Sequence, residues 1–172
     1  EGYIGGTEDP RIVYGFGGVI AYKNIDFNFF FQGTADAHRV IGNSTIFLPG
    51  SGTTVQGNAY SENLDDRWTD DNQDPYAFWP RLTYGPNKNN YRASTWWKKD
   101  MSFLRLKTVE IGYTFPKKWM EKIYSKGARV FVSGNNLLCF SPFKLWDPEL
   151  GTNNGLKYPM NRSILFGIDI NF

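Results

Sequence analysis

The side chains of this 172-residue chain that could do covalent chemistry are few and scattered. Cys139 is the single cysteine and His38 the single histidine, far apart in sequence. A thiol needs an adjacent base to become a nucleophile, and a zinc-type centre needs three or four His, Cys or carboxylate donors. Cys139, in Leu137-Leu138-Cys139-Phe140, therefore reads as a small apolar filler near a strand end. The adjacent Asp65 and Asp66 would point apart in a strand or loop, not across a glycosidic bond. Asp70-Asp71-Asn72-Gln73-Asp74 has the D-x-N-x-D opening of a calcium loop. Pro75 stands where that loop needs Gly, and Arg81 and Leu82 stand where its closing acid belongs. The stretch reads as a solvated acidic loop. No enzyme, cofactor or metal is expected.

Rings are abundant instead, with 14 Phe, 10 Tyr and 6 Trp. Tyr76, Phe78, Trp79 and Tyr84 lie between Pro75, Pro80 and Pro86. They are candidates for contact with a partner or substrate, with packing of the loop's own small core as the alternative. Trp96-Trp97-Lys98-Lys99 reads either as an interfacial aromatic–lysine girdle or as a stacking surface for sugar or protein. A net charge of +2 is too balanced to argue for nucleic acid.

Alternation of apolar and polar residues places strands near 11–22, 25–34, 102–115, 128–138 and 162–172. Ile12, Tyr14, Phe16, Ile20 and Tyr22 share one face of the first. The second puts Ile25, Phe27, Phe29 and Phe31 on one face, against Asp26 and Asn28. Val109, Ile111, Tyr113 and Phe115 oppose Glu110 in the third, whose upstream part, Leu104 to Lys107, inverts the phase. That inversion predicts a bulge or a rise above the bilayer. Pro116 to Ile123 predicts one or two helical turns. In the last strand Ile164, Phe166, Ile168, Ile170 and Phe172 are apolar, while Asp169 and Asn171 sit on the other face.

No run of apolar residues is long enough for a membrane helix, but strands of this length and pattern suit a transmembrane β-barrel. The predicted fold is all-β: about five antiparallel strands of a large barrel, with short links on one side and long extracellular loops, 35–101 and 141–161, on the other. Asp26, Asn28, Glu110 and Asp169 would face a wet lumen. A secreted β-sandwich that stacks carbohydrate on its rings is the alternative. Five strands cannot close a barrel, so the chain is expected to be part of a larger wall. The opening Glu1-Gly2-Tyr3-Ile4 has no leader-like pattern, as expected of a mature chain or one lacking its N-terminal part.

Several stretches resemble one family. Ser102-Phe103-Leu104-Arg105-Leu106-Lys107-Thr108-Val109-Glu110-Ile111-Gly112-Tyr113-Thr114-Phe115-Pro116 is similar to a stretch of SusC/RagA-type TonB-linked outer-membrane proteins. So are Arg129-Val130-Phe131-Val132-Ser133-Gly134-Asn135-Asn136-Leu137, Asp147-Pro148-Glu149, Asp66-Arg67-Trp68-Thr69, Tyr14-Gly15-Phe16-Gly17-Gly18 and Asn90-Tyr91-Arg92-Ala93-Ser94. Their order and spacing match from about Tyr14 to Phe172.

The resemblance implies the C-terminal part of a roughly 22-stranded barrel in the bacterial outer membrane, with the plug domain absent from this chain. It implies TonB-driven import of glycan fragments or peptides. Its implied partners are the rest of the barrel with its plug, a SusD-like lipoprotein lid, the TonB complex and membrane lipid. It also implies that Phe172, with Ile170 and Ile168, forms the signal read by the barrel-assembly machinery.

Overall fold

The computed structural model describes residues 3–42, 61–82 and 87–172. Among these residues seven strands are present: β1 (Ile12–Tyr22), β2 (Ile25–Ala35), β3 (His38–Val40), β4 (Lys98–Asp100), β5 (Phe103–Thr114), β6 (Gly127–Phe140) and β7 (Ser163–Asn171). Five form one antiparallel sheet in the order β1-β2-β5-β6-β7, and β3 pairs with β4 in a sheet of two. Among the described residues no second sheet covers the large one, so the sandwich alternative lacks its second layer.

Neighbouring strands are joined by tight links at one end. Lys23 takes a left-handed φ of 54° between β1 and β2, and Asn24 Nδ2 donates to the Thr114 carbonyl at 2.6 Å. Between β5 and β6 the chain forms a helical turn at Lys117–Met120 and a 3-10 turn at Glu121–Ile123. Pro116 stands at the cap, where its missing N–H is no loss.

Register sorts the sheet into two faces. Phe16 pairs with Phe31, Ile20 with Phe27, Phe27 with Ile111 and Val132 with Phe166. This face is apolar and exposed: Phe166 is 80% and Ile168 67% accessible. Asn28 pairs with Glu110, Glu110 with Ser133 and Arg129 with Asp169 on the other face. The phase inversion at Leu104–Lys107 is a bulge. Phe30 pairs with Thr108 but Phe31 with Leu106, so Lys107 is skipped. The β6 partner makes the matching shift between Leu138 and Asn135, where Asn136 takes a φ of 54°. The bulge returns Leu104 and Leu106 to the apolar face and turns Phe103 and Arg105 to the other.

The buried apolar core lies outside the sheet. Ala37, Ile41, Trp79, Trp97, Met101 and Phe143 cluster where the connections 35–101 and 141–161 meet.

Candidate functional site

On the polar face the lower half carries a charge network that spans four strands. The Arg129 guanidinium on β6 reaches over β5 to Asp26 on β2, with Nε donating to Oδ1 at 3.1 Å and Nη2 to Oδ2 at 2.5 Å. Nη2 also donates to Glu110 Oε1 at 2.7 Å, and Asp169 Oδ2 lies 4.0 Å from Nη1. Gly112 makes this crossing possible. A Cβ there would stand 2.3 Å from the guanidinium. Asp26, Glu110 and Asp169 thus converge on one cation, and Asn28 shares their face beside Glu110.

At the upper end of the same face a second charge cluster joins strand to loop. Arg105 is 3% exposed. Its Nη2 donates to Asp147 Oδ1 at 2.5 Å, and its Nε lies 3.0 Å from Glu149 Oε2 as an ion pair. Lys107 Nζ donates to both Glu149 oxygens, at 2.8 and 3.0 Å. The acids are preset. Asp147 Oδ1 accepts from the Glu149 amide at 3.0 Å and caps the 3-10 turn Pro148–Leu150.

Above this cluster sit the aromatic residues singled out from sequence. Trp79 and Trp97 are 4% and 3% exposed, with ring centroids 5.9 Å apart. Both are largely interior to the loop body and, with Trp96, line one cavity of it. Trp96 and Trp97 directly precede β4, which pairs with β3 and not with the five-stranded sheet. The Trp97 indole donates to the Asn90 carbonyl at 2.8 Å, and that of Trp96 to the Phe78 carbonyl at 3.1 Å. Trp96 stays partly exposed, and Tyr76 is 83% exposed. Lys99 Nζ lies 4.1 Å over the Phe78 ring, and burial lowers its pKa below the ordinary lysine value. Tyr84 lies outside the described residues.

The acidic run is tied into turns. Asp74 Oδ1 accepts from the Tyr76 amide at 2.8 Å, and Asp70 pairs with Arg81 at 3.0 Å. Among the described residues no three His, Cys, Asp or Glu side chains gather as a metal site would require.

The end of β7 is anchored by backbone, leaving its side chains free. Ser125 Oγ and the Lys126 amide donate to the Asn171 carbonyl at 2.7 and 2.8 Å. Lys126 Nζ donates to the Phe172 main-chain oxygen at 2.8 Å. The Phe172 ring is 80% exposed, on the apolar face with Ile170 and Ile168.

Two TonB-dependent receptors of Formosa agariphila match 97% of this chain, at 33% and 29% identity. SusC of Bacteroides thetaiotaomicron, a TonB-dependent receptor, matches 94% at 23%. The RagAB peptide importer in its closed-closed state superimposes with a TM-score of 0.74 over 95% of the chain at 27% identity. Its open-open state gives 0.73 at 29%. No family model matches the chain. The chain belongs to the SusC/RagA-type TonB-dependent receptors. It spans 17% of the length of the two Formosa receptors, and the same share of the RagAB chain. In receptor terms, the five-stranded sheet is a piece of barrel wall, and its fold class is the antiparallel all-β one that the alternation implied. Sequence reasoning passed over the Arg105 cluster, although its residues lie within two of the family-like stretches. One stretch carries the two cations and the other the two acids, and neither shows that they meet.

Proposed function

We propose that this chain is the C-terminal wall segment, with two long outer loops, of an outer-membrane importer. The whole receptor takes up glycan fragments or peptides, is energised by TonB, and works with a SusD-like surface lipoprotein as lid. The observation that carries this reading is the five-stranded sheet with one exposed apolar face and one charge-networked face. Bilayer on one side and water on the other call for that division. The relatives support it: the matched proteins are named as receptors, and RagAB as a peptide importer.

In this reading the tight links at Lys23–Asn24 and at 115–126 lie in the periplasm, and 35–101 and 141–161 lie outside. Tyr22, Trp119 and Tyr124, all exposed, then ring the inner interface. Phe172, Ile170 and Ile168 present the assembly signal. Tyr76 and Trp96 are the rings left accessible for lid or cargo.

Insertion energetics test the wall assignment. Ile168→Lys in the whole receptor is expected to cost about 2–4 kcal/mol of folding stability in lipid, as for a cation near the midplane of a barrel's outer face. Asp169→Lys, one residue on and facing water, gives up the 4.0 Å pair with Arg129 and sets a cation beside it, and should still cost clearly less, on the order of 1 kcal/mol. Equal costs in urea titrations of the two variants would overturn the membrane-face assignment. Loss of nutrient uptake in cells lacking the receptor, restored by the wild-type gene, tests the importer role.

A further inference from the structure

We propose that Arg105 and Lys107 with Asp147 and Glu149 form a latch that holds the loop 141–161 onto the lumen side of the wall, positioning the two outer loops as one body for transport. This rests on the importer reading above, and it concerns the joint between loop and strand.

Three observations carry it. First, the charges are matched two against two across 42 residues of sequence, with strand cations on β5 and loop anions on one 3-10 turn. Second, the cations are presented by a special piece of backbone. Lys107 is the bulged residue of β5, and the bulge is what turns Arg105 to the lumen face. Without it Arg105 would point to the apolar side. Third, the loop held by the latch is welded to the other one. Phe143 packs into the core made by Ala37, Ile41, Trp79, Trp97 and Met101, and Ser141 Oγ donates to the Ser102 carbonyl at 2.8 Å. Movement of either outer loop is therefore referred to β5 through one buried, charge-matched joint. Among the described residues, buried Arg105 pairs with these two acids and lies 5.6 Å from the Phe103 ring. Lifting the turn would strand a desolvated cation, so the joint has a strongly preferred closed position.

A native reporter lies beside the latch. Cys139 pairs directly with Arg105 across β5 and β6 and is partly buried. The experiment measures the rate at which a membrane-impermeant maleimide labels Cys139 in the purified whole receptor and in intact cells. Cys139→Ser provides the background.

Lys107→Glu, and separately the pair Asp147→Asn with Glu149→Gln, should raise the labelling rate by roughly tenfold or more, as for a desolvated charge deprived of its partner. Surface abundance should be unchanged, and the maximal uptake rate lower. Lys107→Arg keeps the pair with Glu149 and sets no like charge beside Arg105, so it should label and import like the wild type, with normal surface abundance. Arg105→Met is the stronger lesion, and the Lys107 variants decide the matter if that variant fails to assemble. Wild-type labelling in the carboxylate variant, or fast labelling of Lys107→Arg, overturns the latch. A wild-type receptor missing from the outer membrane would instead overturn the importer reading, while labelling of the purified receptor would still report on the latch.

Discussion

At the level of single residues, space for a long cation decides the polar face. Arg129 joins Asp26 and Glu110 across Gly112, whose missing side chain leaves the guanidinium its room. Gly112→Ala should therefore push the guanidinium aside and destabilise the sheet by about 1–3 kcal/mol, as overpacking does. The Arg129→Met, Gly112→Ala double variant should lose little beyond Arg129→Met alone, because the clash then meets a more pliant side chain. Urea unfolding of the whole receptor in a double-mutant cycle checks this, and additive costs would refute it. The pairs around Arg129 were unreadable in the chain. Asp26 stands 103 positions from Arg129, and only the β2-β5-β6 register brings them together.

Among the elements, β5 is the one on which both faces depend. Its alternation breaks at Leu106-Lys107-Thr108, and the skipped residue is Lys107. Deleting Lys107 should remove the bulge, turn Phe103 and Arg105 toward lipid, and abolish assembled receptor in outer-membrane fractions. Lys107→Ala keeps the bulge and should assemble at nearly normal yield. The phase break was visible in sequence, since Leu106 and Val109 stand three positions apart and cannot share a face without an extra residue between them. The short β3–β4 pair was not visible. Three-residue strands leave too little alternation to register, and here backbone pairing is backed by Trp97 and Met101 in the core beneath.

For the molecule as a whole, the packing is inverted relative to a soluble domain. The strands expose their apolar face, and the tightest apolar burial lies in the loops. Trp97→Ala should cost the loop body about 3–5 kcal/mol. It should open the loops to protease on intact cells while leaving the barrel inserted. Tyr76→Ala, at a ring 83% exposed, should leave protease resistance unchanged and, on the importer reading proposed above, lower only lid or cargo affinity. Protease resistance equal in both variants would refute the loop core as the structural element.

The chain alone determined the five long strands and their two faces. Alternation is a local property, and so is the chemistry of a face that meets lipid or water. It also carried the family, because short stretches in the right order keep their identity without any contact between them. Only the tertiary structure decided which rings are buried and which charges meet. Trp96 and Trp97 are neighbours of the same type, yet one is accessible and the other enclosed. Asp147 and Arg105 are ordinary surface charges until a loop folds back over a bulge. Burial and pairing depend on residues far away in sequence, and no local pattern encodes them.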